Sequence, residues 1–357
     1  MSDNEDLPVS SQPTVCVTGA SGFIAGQTIR ELLARGFKVR GTVRGEVDDS
    51  QYAYLKQLPG ADEGLELMRA DLTQPGSFDT AIAGCDYVIH AASPYLLDSK
   101  KPQEELVDPA VKGTRNILQA CANVPSVKRV VMTSSLAAIT DEPDDHHVFT
   151  ETDWNSKSSL TRNAYFYSKA LAEQAAWHFM REQGLKFDIV VLNPCMVIGE
   201  AIGPGLNSSN QVIRDLLSGT YPGVMALNFC MVDVCDVARA HVLALDKHEA
   251  EGRYICYSEA MSMGEIVDFL REAGYSNYRL PRRDMSAGWI SSVVKLLSYT
   301  QPSGAGDFIR SHLGKTMRIS NAKIRAELGM EFRPVRETLI DTVEDLIRQG
   351  HLHKPEA

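Results

Sequence analysis

Tyr165 and Lys169 stand four positions apart in Asn163-Ala164-Tyr165-Phe166-Tyr167-Ser168-Lys169. On a helix that spacing puts both on one face, about 6 Å apart along the axis. An ammonium so placed favours phenolate over phenol and lowers the tyrosine pKa from its reference near 10 toward working pH, so the phenol can act as general acid or base. Ser135, in Thr133-Ser134-Ser135, offers a hydroxyl that could hold a carbonyl oxygen while Tyr165 protonates it. Singly, each has an ordinary reading: Tyr-x-x-x-Lys pairs arise by chance and paired serines finish turns. Their meaning depends on a scaffold that brings them to one edge.

That scaffold is written from Val15 to Arg44: an apolar strand (Val15, Cys16, Val17), a glycine turn, an amphipathic helix and a second strand. In Thr18-Gly19-Ala20-Ser21-Gly22-Phe23-Ile24-Ala25-Gly26, Gly19 and Gly22 let the backbone approach a pyrophosphate whose charge the helix N-terminus stabilises. Ala25 stands in for the third glycine of a dinucleotide fingerprint. Apolar positions 24, 25, 28, 29, 32 and 33 mark one helical face, and Gly36 is placed as its C-terminal cap. At the end of the second strand (Lys38 to Val43) an NAD enzyme carries Asp or Glu for the ribose 2′-hydroxyl. Here Val43 and Arg44 stand there. A guanidinium bonds a 2′-phosphate bidentately and stacks on adenine, which points to NADPH, while Glu46 keeps NAD in view.

Further strands are expected at Leu65 to Arg69, Tyr87 to His90, Arg129 to Thr133 and Ile189 to Asn193, with helices between them, the longest over 162 to 183. Strands alternating with helices imply parallel pairing through right-handed crossovers, an α/β doubly wound sheet. Asp71, followed by Leu72, could bond an adenine amino group or cap the next segment. Ala91-Ala92-Ser93 closes the fourth strand with small residues, leaving room for a ligand at the carboxyl edge. With a nicotinamide there to deliver hydride, Ser135 orienting the carbonyl and Tyr165 as acid, the site would reduce an aldehyde or ketone. Beyond Gly199 the rhythm changes. A loop is expected over Gly203 to Asn210, strands at Met231 to Val234 and Arg253 to Tyr257, a helix starting near Asp236 as its N-cap, then mostly helices with a loop at Gln301 to Gly306. Residues 13–199, continued by 231–257, are expected to form the dinucleotide-binding domain, and 200–230 with 258–357 a smaller, mostly helical substrate lobe.

A 357-residue chain with 44% hydrophobic and 23% charged residues has length for a large core. A net charge of −10 argues against a nucleic-acid partner. Met1 to Gln12 reads as a polar, disordered tail without signal or transit character, and no apolar run approaches the ~18 residues needed to span a bilayer. Seven cysteines without Cys-x-x-Cys fit reduced thiols in the cytoplasm. No metal site is expected: Asp144-Asp145-His146-His147 lies in a polar loop without distant ligands. His90 and His241 read as satisfied core histidines and Cys195 as packing; Arg239 stands one turn into the helix that Asp236 is expected to cap, with a phosphate or substrate contact as its minority reading.

The fingerprint Thr18 to Ala25, Asp71-Leu72, Thr133-Ser134-Ser135, Tyr165-x-x-x-Lys169 and Asn193-Pro194 together resemble the extended short-chain dehydrogenase/reductases, which carry a Rossmann sheet. Val39-Arg40-Gly41-Thr42-Val43-Arg44 and Tyr167-Ser168-Lys169-Ala170-Leu171-Ala172-Glu173 look like the dihydroflavonol 4-reductase, cinnamoyl-CoA reductase and fungal aldehyde or methylglyoxal reductase group. The resemblance implies NADPH-dependent carbonyl reduction, a bond from Lys169 to the nicotinamide ribose, and a nicotinamide pocket lined by the segment from Pro194 to Val197. Ala164, Phe166 and Ser168 stand where cinnamoyl-CoA reductases typically carry Trp, Cys and Gly, and Thr140 where dihydroflavonol reductases often carry Asn, so neither substrate is supported. Tyr95, Met196, Leu206, Tyr221 and Met225 are candidate walls for a hydrophobic substrate. A sugar-nucleotide epimerase or dehydratase and a non-catalytic NADP-binding redox sensor remain as alternatives. The active form is expected to be a monomer or homodimer.

Overall fold

The central strands of this chain bury both faces, and the alternation of their side chains explains the layers. The structure, a computed structural model, describes residues 12–93, 99–182, 184–301 and 303–355. In chain order the strands are β1 (Thr14–Thr18), β2 (Lys38–Val43), β3 (Leu65–Arg69), β4 (Tyr87–His90), β5 (Arg129–Thr133), β6 (Val148–Phe149), β7 (Asp188–Pro194), β8 (Met196–Ile198), β9 (Asn228–Asp233), β10 (Gly252–Cys256), β11 (Glu259–Ser262) and β12 (Arg318–Ile319). Seven of them form one sheet in the order β10-β7-β5-β4-β1-β2-β3, every neighbouring pair parallel. Val15, Val17, Val131, Val190 and Leu192 enter the core on one face, and Cys16, Val88, Val130, Ile189 and Val191 that on the other. The helix Phe23–Ala34 contributes Ile29 and Leu32, and Val234–Asp246 contributes Val237 and Val242, to the first core. Asp108–Ala122 contributes Ile117 and Leu118, and Ala164–Glu182 contributes Ala176 and Phe179, to the second. This is the doubly wound Rossmann arrangement the pattern implied.

Strand order reverses between β1 and β4. From β1 the chain steps outward to β2 and β3, then crosses back to β4 and proceeds the other way. From the shared carboxyl edge of β1 and β4 the crossovers therefore run to opposite faces of the sheet, and the cleft between them is where such sheets accept ligands.

Four differences from the expected elements have local causes. The strand expected at Met231 to Val234 is β9, which belongs to a separate three-stranded sheet, antiparallel to β11 and parallel to β8. The next helix is capped by Asp233, whose side chain accepts the Cys235 N–H at 2.6 Å. Asp236 lies inside the first turn and accepts from the Arg333 N–H at 2.8 Å and Arg239 at 2.7 Å. The run at Gly203 to Asn210 is a loop only until Asn207, which caps the helix Ser208–Ser218 by accepting the Asn210 N–H at 2.9 Å. The stretch placed in a loop at Gln301 to Gly306 enters the helix Ser303–His312, and Gly306 is there for packing, since a Cβ on it would lie 2.4 Å from the Ser298 carbonyl oxygen.

A further hydrophobic cluster gathers Ile213, Leu216, Met231, Met261, Ile266, Leu313, Leu339 and Val343 around the small sheet. Together, β12 and β6 add a two-residue parallel ladder across the surface. The tail expected to be disordered lies, up to residue 11, outside the described residues.

Gly19 shows how tightly the cleft is drawn. Its φ is +69°, and an added Cβ would sit 3.0 Å from the Ala92 Cα. Gly19→Ala should cost about 1–2 kcal/mol for the left-handed backbone alone and force β1 and β4 apart. Lower urea stability together with weaker dinucleotide binding is expected; a variant with wild-type affinity would show that the turn does not need its glycine.

Candidate active site

The glycine turn is tied to its neighbours through side chains at strand ends. Gly19 N–H donates to Thr42 Oγ1 at 3.1 Å and Ala20 N–H to the Thr42 carbonyl at 2.8 Å. Thr18 Oγ1 accepts the Ala92 N–H at 3.0 Å and lies 3.1 Å from His90 Nδ1. The buried Thr18 hydroxyl thus joins β1 to the segment Ala91-Ala92-Ser93 that leaves β4. Burial, with the charge of Lys169 nearby, holds His90 down to about 3, so it is neutral and structural.

Ser93 carries the link on to the helix. Lys169, 8% exposed, donates from Nζ to Ser93 Oγ at 3.0 Å, and the same ammonium stands 5.8 Å from the centre of the Tyr165 ring. Tyr165 is half-buried in the first turn of Ala164–Glu182 and lines a cavity of about 360 Å³ with Lys100, Leu106, Leu160, Asn163, Phe166 and Asp307. On the next strand, Ser135 follows β5 half-buried, its Oγ accepting the Ala137 N–H at 3.2 Å to start a short 3₁₀ turn. The three residues singled out from the sequence therefore lie at the carboxyl edge of β4 and β5 and on the helix packed across them. That geometry can polarise a carbonyl and exchange a proton with it.

What fixes this edge is a carboxylate the motif reading passed over. Glu173, one turn past Lys169 and wholly buried, accepts from Ser134 Oγ at 2.5 Å, Asn193 Nδ2 at 2.8 Å, Trp177 Nε1 at 3.2 Å and Arg253 Nε at 2.6 Å. Asn193 Nδ2 also reaches the Ser135 carbonyl at 3.1 Å. Arg253, from β10, bonds the carbonyls of Glu151 and Asp153 and stacks 3.9 Å over Trp154. The available signal was periodicity: a carboxylate four residues beyond a lysine on the sheet-facing stripe is too costly to bury without partners.

On the dinucleotide side, Gly22 precedes Phe23 with extended backbone, its N–H turned back to the Gly19 carbonyl at 2.8 Å. Ser21 and Gly22 are exposed, Phe23 and Ile24 half-buried. A cavity of about 200 Å³ lies against Ser21, Gly22 and Phe23, walled opposite by Tyr54 and residues 201–207. Tyr54 Oη donates to the Ser21 carbonyl at 3.3 Å, and a Cβ on Gly203 would lie 2.6 Å from the Tyr54 ring. Arg44 is exposed past β2, while Glu46 is turned to Arg69 at 2.6 Å. Asp71 accepts the Thr73 N–H at 2.8 Å, which with the nearby Arg44 and Arg69 charges holds its carboxyl below the usual range. Leu72 packs onto Gly113. Pro194 ends β7 and Val197 lies in β8, both buried.

Other groups are accounted for by structure. His241 lies 2.7 Å from both Thr133 Oγ1 and the Val237 carbonyl, and burial holds it down to about 4. His147 pairs with Asp153 at 2.9 Å, and among the described residues no three His, Cys, Asp or Glu side chains gather as a metal site. Burial pushes the Cys195 thiol well up, and all seven cysteines are free. Thr140 is buried and donates to the Glu142 carbonyl at 2.8 Å. Met196, Leu206 and Tyr221 pack on the cluster around the small sheet and Met225 lies inside it; Tyr95 falls outside the described residues. Among the described residues no helix is long and apolar enough to cross a membrane.

Burial pushes Lys169 down to about 8 from 10.5, with Glu173 pulling the other way. A folded pKa below the unfolded one means the unfolded chain binds the extra proton between those values, so stability rises with pH across that window. Lys169→Met should therefore be more stable than wild type to urea at pH 7, by roughly 2–3 kcal/mol. Its advantage should shrink as pH rises from about 8 to 10.5. An advantage constant in pH would remove the buried charge as its cause.

Residues 15–257 match the NAD dependent epimerase/dehydratase family. A cinnamoyl-CoA reductase, CAD2, of Medicago truncatula is 44% identical, covering 93% of this chain and 95% of its own. Tetraketide alpha-pyrone reductase 1 of Arabidopsis thaliana is 38% identical over 95% and 96%. Among solved structures, Gre2 of Candida albicans in complex with NADPH superposes with a TM-score of 0.79 at 30% identity, over 96% of this chain and 100% of that one. With a Rossmann sheet and matches of this length, the chain belongs to the NAD dependent epimerase/dehydratase family, the extended short-chain dehydrogenase/reductases.

Proposed function

We propose that this protein is an NADPH-dependent reductase of aldehydes or ketones with Tyr165 as its general acid. The observation that carries the reading is the buried Lys169 ammonium, bonded to Ser93 and 5.8 Å from the Tyr165 ring, at the edge shared with Ser135. The curated relatives are named reductases, and Gre2 binds NADPH.

The residues present fit a dinucleotide. A Cβ would fill the glycine turn, a 12-residue helix opens behind it, and the carboxylate that could serve NAD is paired with Arg69. Gly19, Ser21, Gly22, Phe23 and Ile24 would hold the pyrophosphate, Arg44 the 2′-phosphate, and Asp71 with Leu72 the adenine side. Ala91, Ala92, Ser93, Pro194 and Val197 would line the nicotinamide side, with Lys169 on its ribose. When bound, the cofactor supplies hydride to the carbonyl carbon.

The chain's own part is the oxygen. Ser135 bonds it, and Tyr165 gives it a proton as the C=O π pair moves onto oxygen, leaving a phenolate that Lys169 stabilises. Leu106, Leu160 and Phe166 line the cavity and suit an apolar substrate, with Lys100 also on its wall. Free thiols throughout suit the cytoplasm, and the working form we infer is a monomer or homodimer.

A panel of aldehydes and ketones, followed by NADPH absorbance with NADH and a nucleotide sugar as controls, tests the reaction; turnover of the nucleotide sugar alone would assign an epimerase or dehydratase. Tyr165→Phe should cut turnover by about 10²–10⁴-fold with NADPH affinity nearly intact. Near-normal turnover in that variant would take Tyr165 out of the mechanism. Arg44→Ala should weaken NADPH by about 10- to 100-fold while leaving NADH within a few-fold, as read by fluorescence titration; equal losses for both would assign the selection elsewhere.

A further inference from the structure

Asn163 immediately precedes the helix that carries Tyr165, and among the described residues it is the one non-glycine with positive φ, +48°. Asparagine tolerates this region better than most side chains, yet such a conformation persists only where surroundings hold it. Two carboxylates hold this one. Its side-chain Nδ2 donates to Asp141 Oδ1, from the segment that follows Ser135. Its backbone N–H donates to Asp307 Oδ2 at 2.7 Å, from the helix Ser303–His312, 144 residues along the chain. Asn163 is 4% exposed and its carbonyl accepts the Tyr167 N–H at 3.0 Å, so it opens the helix.

Asp307 is itself fixed. Arg310 donates to its Oδ1, bonds Ser298 Oγ at 3.1 Å and stacks 4.3 Å over Tyr299. A second contact joins the same helices: Phe166 meets the His312 ring edge-on at 6.4 Å. Asn163, Tyr165 and Asp307 all line the 360 Å³ cavity. The segment that walls the cavity therefore also grips the backbone two residues before the phenol.

We propose that Asp307 is a positioning residue: by accepting the Asn163 N–H it seats the start of the helix so that the Tyr165 hydroxyl is presented to the substrate cavity. The inference rests on Tyr165 as the proton donor. An anion at an N–H of a helix start is electrostatically favourable, and Arg162 on Asp141 at 2.5 Å and Arg310 on Asp307 balance the two carboxylates. Losing the bond frees the backbone at 163 to leave the left-handed region and swings the residues after it. A displacement near 1 Å at a reacting group is worth up to about 10²-fold in rate.

The test compares Asp307→Ala, Asp307→Asn and Tyr165→Phe in the full chain, with NADPH and the aldehyde turned over fastest in the panel. Asp307→Ala should lower kcat about 10- to 100-fold with KM and NADPH Kd within about 2-fold, and Asp307→Asn, whose amide oxygen still accepts the N–H, should keep most of kcat. A wild-type kcat for Asp307→Ala, a loss confined to KM, or equal losses for Ala and Asn would overturn the assignment. If Tyr165→Phe is inactive while Asp307→Ala is normal, only this inference fails; if Tyr165→Phe is active, the reading beneath it fails as well. Should Asp307→Ala not fold, Asn163→Ala and Asn163→Gly decide: Gly, free to take φ +48°, should retain more kcat than Ala, and equal values would sink the proposal.

Discussion

The buried pair of Glu173 and Arg253 is the constraint on which the site depends. A carboxylate without solvent contact is tolerable only when its lone pairs are filled, and Glu173 fills them with groups from the residue after β5, from β7 and β10 and from its own helix. Breaking such a pair on one side costs about 3–5 kcal/mol, because the surviving charge stays buried. The register of three strands against one helix is therefore locked at the level of Ser134 and Asn193. Ser135 and Lys169, each within one turn or residue of these, inherit that precision.

The reacting groups stand in a less comfortable setting. Lys169 is held against the preference of its charge for water, and Asn163 sits in a backbone region most residues avoid. Both lie beside Tyr165. Strain and buried charge gather where a proton must move, while the hydrogen bonds converging on Glu173 one turn away supply rigidity. That division explains why the chemistry-bearing stripe of the helix grades from Tyr165 at the cavity to Glu173 in the core.

Much of this was legible in the residues. The bounds of β4 and β5 follow from short apolar runs whose strands are buried on both faces, while β2 and the edge strand β3 show through alternation with polar residues. Tyr165, Lys169 and Ser135 could be read because their spacing and order are carried by a single helix and a single strand end. Less legible were partners far apart in sequence. Nothing near Glu173 announces Arg253, 80 residues on, nor does anything near Asn163 announce Asp307. A glycine misled as well: Gly306 looks like a loop residue, but its helix needs the missing side chain to approach Ser298. Asp233 and Asp236 each have the chemistry of a cap, and only the strand that ends at 233 decides between them.

The loop at 201–207 leans on the glycine turn, with Gly203 beneath the Tyr54 ring and Ile202 against Gly26. Residue 201 is in turn held by Asp345, at the far end of the chain, through a 2.9 Å bond to its N–H. The helix Val335–Arg348 thus helps set the wall that faces Ser21, Gly22 and Phe23, although 144 residues separate Asp345 from the loop it holds.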